Sequence, residues 1–358
     1  HRVVLTKGKT FRLNLSVCAV YNADFDGDEM NIHVCQSACA TSEVSTLMAI
    51  NRNIISAQNN KPCFGIVQDS LVGAWLMTDP SVFLTRADML RFRIYVKFAN
   101  NGTTMLPPPA ISKPKELWTG SQLISFVFPY TLMYQRGSIS GITSYDTKDL
   151  LIQNGQILFG RLSKSTLGAT AGAISDIIHH EHGGPKKAVE FLSDVQRVVN
   201  QWLLYKNSFS IGASDCVTNE QSHNEVVECI KSAVNNSKMI LTSKVPKSLK
   251  EMAEGATTRI LSDVIMKTAT IIKNNAPPDN SIITCVTAGS KGSPLNIAQV
   301  CGQVGQQIVG GERILNGTSG RTLPCFKHGE HATVNANGYI QNSFMLGLQP
   351  TEFFFSAM

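Results

Sequence analysis

An α+β fold is expected, with a strand and a tight turn near the start and a mostly helical body after them. Three observations carry this expectation. Residues 10–17 alternate apolar and polar with period two. An acidic turn containing one glycine follows at residues 21–28. From Pro185 onward, apolar residues recur at helical spacing over long stretches.

The strand places Phe11, Leu13, Leu15 and Val17 on one face and runs into Tyr21-Asn22-Ala23-Asp24-Phe25-Asp26-Gly27-Asp28. After Ser37 a short helix is expected through Ile50, then an extended Asn/Lys/Pro segment at 59–62, then an apolar helix from about Gly65 to Met77. Prolines 107–109, with the Gly, Thr and Asn residues before them, predict a loop and a domain seam. Strand character returns around Ile157-Leu158-Phe159, and a Gly/Ala/Ser-rich stretch at 168–175 ends it. Pro185 opens the clearest helix, with Ala188, Phe191, Leu192, Val195, Val199 and Trp202 on its core-facing side. Residues 219–273 predict two or three helices interrupted near Pro246, closed by the loop 274–280. A helix is expected from Pro294 to Val309, and 353–358 reads as the first turns of another.

The chain has 358 residues, enough for two or three domains. Apolar residues make up 43% and charged residues 16%, against roughly 25% charged in an ordinary soluble chain. That deficit implies surface covered by other protein. The net charge of +6 permits nucleic-acid contact without demanding it. Nine cysteines, an odd number with no CxxC pair, predict reduced thiols rather than a disulfide framework. No signal peptide or unbroken apolar stretch of about 20 residues occurs, so no membrane contact is expected. The opening at His1 and the close at Phe353-Phe354-Phe355-Ser356-Ala357-Met358 predict that both ends are cut.

The acidic turn carries the chemistry. Asp24, Asp26 and Asp28 stand at i, i+2 and i+4, so a tightly turned backbone lets three carboxylates meet, and Gly27 permits the turn. Three carboxylates so placed repel one another unless a cation or a proton intervenes. Oxygen ligands with no His or Cys nearby favour Mg²⁺ or Mn²⁺ over zinc. A calcium-binding EF-hand needs glycine after the third acid and glutamate at position twelve; here Gly27 precedes Asp28 and position twelve is Cys35. A solvated acidic turn is the competing explanation, and spacing alone does not separate the two.

Asn22-Ala23-Asp24-Phe25-Asp26-Gly27-Asp28 resembles the signature of the largest, catalytic subunit of multisubunit DNA-directed RNA polymerases. Phe11-Arg12-Leu13-Asn14-Leu15-Ser16 before it and Glu29-Met30-Asn31-Ile32-His33-Val34 after it extend the likeness. Further blocks at 60–69, 154–160, 288–293, 321–324 and 352–355 resemble the same family in order along the chain. The resemblance is strongest to the RNA polymerase II type and to enzymes of large cytoplasmic DNA viruses. It implies part of a double-psi β-barrel followed by mostly helical pore and funnel domains. The implied divisions are 1–78 for the barrel part and following segment, 79–150 and 151–218 for the pore domain, 219–320 for the funnel, and 321–358 for the link to the bridge helix.

The same resemblance implies that Asp24, Asp26 and Asp28 hold catalytic Mg²⁺, with Mn²⁺ as a substitute, in a two-metal mechanism. It assigns Asn22 to the ribose hydroxyls of the incoming nucleotide and Lys291 to the pore, both as substrate-binding residues; Lys291 would meet phosphate of backtracked RNA or entering nucleotide, against the alternative of a structural surface lysine. Implied partners are the second-largest and smaller subunits, template DNA, the RNA transcript, nucleoside triphosphates and a transcript-cleavage factor at the funnel. The implied location is the nucleus, or the cytoplasm for a viral enzyme. Cys18-Ala19-Val20 and Cys35 stand where the family commonly has prolines. Because the upstream cleft, most of the bridge helix and the trigger loop lie outside the chain, it is expected to be inactive alone.

Two other functions compete: a double-psi-barrel RNA-dependent RNA polymerase, and a non-catalytic docking segment for polymerase subunits and cleavage factors. The blocks beyond residue 60 argue against the first, and the aspartate triplet against the second. Elsewhere, Cys325, His328 and His331 lack an evident fourth zinc ligand. His179, His180 and His182 suit a solvated loop. Gly289-Ser290-Lys291-Gly292-Ser293 lacks the Gly-Lys-Ser/Thr order of a phosphate loop, and Lys244, Lys247 and Lys250 suit a solvated basic face.

Overall fold

A computed structural model describes residues 1–97, 105–137, 149–243, 246–314, 320–328 and 333–358. The chain forms two compact units, one of residues 1–209 with 287–290 and the other of 210–286 with 291–358.

In the first unit the expected strand at 10–17 is absent. The Asn14 side chain accepts a hydrogen bond from the Ser16 amide at 2.9 Å and starts a 3₁₀ turn at Leu15–Val17, which continues into helix α1 (Cys18–Tyr21). Among the described residues nothing pairs with 10–17 in a ladder, and alternation without a partner strand does not make a strand. Phe11 is accordingly exposed. The Ser37 hydroxyl caps α2 (Ala38–Glu43), which widens into a π turn at Val44–Met48 before a 3₁₀ turn at Ile50–Arg52. Residues 59–62 are a tight turn rather than extended, closed by a bridge between Ile55 and Pro62 and by left-handed Asn60. That bridge is the only strand pairing among the described residues of 1–78, so these residues do not themselves form the implied barrel.

Helix α3 (Gln68–Met77) is almost wholly buried. Strand β1 (Phe83–Leu84), helix α4 (Arg86–Arg93), strand β2 (Trp118–Thr119) and helix α5 (Gly120–Ile124) follow, with β1 and β2 antiparallel. Strands β3 (Tyr134–Arg136), β4 (Leu150–Gln153) and β5 (Gln156–Gly160) form an antiparallel sheet in that order. Helices α6 (Lys164–Leu167) and α7 (Ile174–Glu181) lead to α8 (Gly184–Tyr205), where all six predicted stripe residues are buried. Their core also takes Phe92, Leu123, Phe128 and Ile152.

The second unit is built on a helical hairpin, α9 (Glu220–Thr242) and α10 (Lys250–Asn275), with Pro246 in the connection as expected. Helix α11 (Ser281–Ala288) precedes α12 (Pro294–Cys301). Helix α12 ends at Cys301, eight residues before the expected end at Val309. Gly302 leaves the helical conformation, Gly305 has φ +88°, and two short antiparallel pairs replace the predicted turns. Strand β6 (Gly305–Gln306) pairs with β9 (Tyr339–Ile340), and β7 (Ile308–Val309) with β8 (Glu312–Arg313). Helix α13 (Pro350–Ser356) closes the chain. Leu261, Val264, Ile297 and Tyr339 lie in this unit's core, where the Tyr339 hydroxyl donates to Gln303 at 2.6 Å and Gln303 donates to Thr268 at 2.9 Å.

Candidate metal centre

The acidic loop begins where α1 stops. Asn22 takes the left-handed conformation (φ 49°, ψ 38°), and the amides of Asn22 and Ala23 donate back to the carbonyls of Ala19 and Cys18. That is a Schellman stop, for which asparagine is a usual substitute for glycine. It turns the chain sharply out of the helix and straight into Asp24. The Asp24 amide donates to Asp28 Oδ2 at 3.0 Å, and the Asp26 amide to Asp24 Oδ1 at 3.4 Å, so the acids themselves fold the loop. Gly27 supplies the reversal at φ +129°, a value few L residues adopt.

One carboxylate oxygen from each of Asp24, Asp26 and Asp28 lies within 4.8 Å of the others, and all three side chains are exposed. Among the described residues no other group of three or more His, Cys, Asp or Glu side chains converges in this way. The hydrogen bond with Asp24, and then the charge of Asp24, hold the Asp26 carboxyl above its ordinary range. The crowding of negative charge behind that rise is what a bound cation would relieve. The donor set fits a hard divalent ion: all oxygen, all on one short loop, with open coordination positions toward solvent. Its groove, about 540 Å³, is also lined by Lys9, Phe11 and Glu29.

The other predicted residues fall as follows. Asn22 is exposed on the same loop as the three acids. Lys291 belongs to the second unit, exposed on a turn between left-handed Gly289 and Gly292. The three histidines do not converge: His180 faces Asp176 at 3.4 Å, His182 Nδ1 meets the Thr131 hydroxyl at 3.0 Å, and burial pulls the His179 imidazole down in pKa. His331 and Lys244 lie outside the described residues, so neither the Cys325/His328/His331 set nor the full lysine group is seen. Sequence reasoning passed over Lys9. Its signal was the pair of lysines flanking Gly8, too short a run to stand out.

Comparison with known families gives three matches in chain order. Residues 1–50 match the model described as RNA polymerase Rpb1, domain 2; residues 53–216 match domain 3; residues 218–351 match domain 4. The chain belongs to the Rpb1 family, the largest subunits of multisubunit RNA polymerases. Asn22 and the three aspartates fall inside the Rpb1 domain 2 match, and Lys291 inside the Rpb1 domain 4 match. Rpb1 membership makes the chain a component of DNA-directed RNA polymerase, with transcription and nucleotidyl transfer as the family's field of action. Among the described residues no helix is long and apolar enough to cross a membrane.

Proposed function

We propose that this chain supplies the carboxylates that hold catalytic Mg²⁺ during DNA-templated RNA synthesis. The observation that carries the reading is the convergence of Asp24, Asp26 and Asp28 within a segment matching Rpb1 domain 2. A divalent cation bound there supplies the positive charge that stabilises the anionic oxygens of nucleotidyl transfer. The chain's own part is to bind and orient. Three acids on one turn fix the cation's position, and Asn22, held by the helix stop that starts the loop, contacts the ribose hydroxyls of the incoming nucleotide. Lys291 serves the pore, where phosphate-bearing chains pass. Other polymerase subunits, template DNA and transcript complete the machine, and the chain alone is inactive. The domain 3 and domain 4 matches favour this reading over an RNA-templated polymerase that shares only the acidic loop.

The test is RNA extension by the assembled polymerase carrying Asp26→Asn, at matched subunit content. Changes to groups that merely support a metal ligand typically cost about 10–100-fold, and loss of a ligand itself is expected to exceed that, at more than about 100-fold. Equal extension by both enzymes would return the loop to a solvated acidic turn.

A further inference from the structure

We infer that Lys9 is a phosphate-contacting residue of the same centre, positioning either the RNA backbone or the nucleoside triphosphate beside the aspartate loop. Lys9 lines the groove that Asp24 and Asp28 line. Its side chain is exposed and makes no ion pair among the described residues, although acids surround the groove. The reason lies in the loop. One oxygen of each of the Asp24 and Asp28 carboxylates already accepts a hydrogen bond from a backbone amide of the loop itself. An ammonium left free at the rim of a cation-binding acidic loop complements a ligand that brings its own negative charge, and phosphate oxygens are that ligand in nucleotidyl transfer.

The placement of Lys9 is built in. Gly8 turns the chain at φ +110°, and the Arg12 guanidinium donates to the Lys7 carbonyl at 3.4 Å, closing a small basic loop. Neither Lys7 nor Lys9 was needed to explain the fold or the metal centre.

This inference rests on the polymerase reading, and the experiment separates the two. The assembled polymerase is prepared as wild type, Lys9→Gln, Lys9→Arg and Asp26→Asn. Binding to a labelled RNA primer annealed to template DNA is measured across a salt series, alongside KM and kcat for NTPs. Loss of a backbone contact is expected to flatten the salt dependence of hybrid binding by about 0.7–0.9 in log–log slope. If the contact is instead to the triphosphate, hybrid binding is unchanged and the NTP KM rises several-fold with kcat nearly constant. Lys9→Arg restores whichever quantity moved. Should Lys9→Gln match wild type in both while Asp26→Asn is dead, the Lys9 assignment falls and the metal centre stands. An active Asp26→Asn enzyme overturns both.

Discussion

Asp26 keeps its proton to a higher pH than an ordinary aspartate because Asp24 hydrogen-bonds to it and repels its charge. A carboxyl raised in the folded loop favours that loop at low pH, and this contribution is lost as pH rises through the raised value. Above it the three acids repel and the loop gains most from a cation; below it a cation must displace the proton. Mn²⁺ affinity, followed by electron paramagnetic resonance, should therefore climb through and above the normal aspartate range, and Asp26→Asn should lower the affinity and flatten the climb. A flat profile in the wild type would separate Asp26 from the ion. Arg313 poses a different problem, since its side chain is 1% exposed and paired at 2.7 Å with Glu254, itself 31% exposed. Burial pulls the guanidinium's pKa down and Glu254 opposes that. Exposed pairs contribute up to about 1 kcal/mol and breaking buried ones costs about 3–5. Glu254→Ala should thus cost about 2 kcal/mol in the stability of its unit, read by hydrogen exchange, with Glu254→Gln milder because Gln can still accept from Arg313.

Helix α4 depends on its first turn. The Thr85 hydroxyl and the Asp88 carboxylate cap each other's amides, and Lys206 joins Asp88 at 2.8 Å. Burial pushes the Asp88 carboxyl up, but Lys206 and Thr85 outweigh it and hold it below the usual range. Its stabilisation is therefore present above an unfolded aspartate's pKa, about 3.9, and is lost on acidification through the lower folded value. Asp88→Ala should cost about 1–2 kcal/mol at neutral pH, with the gap from wild type closing in acid. Helix α3 meets α8 at Gly73, where an added methyl carbon would lie 2.6 Å from Val199 Cγ1. Gly73→Ala should cost about 1–3 kcal/mol through overpacking, despite alanine's better helix propensity. The elements legible in the sequence were those that supply their own reasons. The α8 stripe from Ala188 to Trp202 has helical spacing and the mass to build a core, and the aspartate loop encodes its convergence in alternation plus Gly27. What misled was pattern without context. Residues 10–17 alternate like a strand, yet Asn14 starts a 3₁₀ turn and no ladder partner lies among the described residues. The apolar run after Pro294 continues past Cys301, but Gly302 and Gly305 convert it to short strands.

At the scale of the molecule, each unit has its own apolar core, one around Trp202 and Phe128, the other around Leu261 and Tyr339. Damage to one core should stay there. Phe191, 3% exposed and stacked at a tilt 5.7 Å from Phe128, is the natural probe. Phe191→Ala should cost about 3–5 kcal/mol, and hydrogen exchange in the assembled polymerase should show lost protection in α3 and α8 while α9 and α10 keep theirs. Equal loss in both would mean that the two cores unfold as one.

The units are not consecutive in the chain, because residues 287–290 return to the first after the second has begun, with Gly289 against the Lys164 side chain. During synthesis the first unit thus waits for its last piece while residues 210–286 emerge. At the ~5–20 residues per second of translation, that delay is roughly 4–15 s. For those seconds the nascent chain carries an incomplete first unit and an unfinished hairpin together, the interval in which a ribosome-associated chaperone has most to protect.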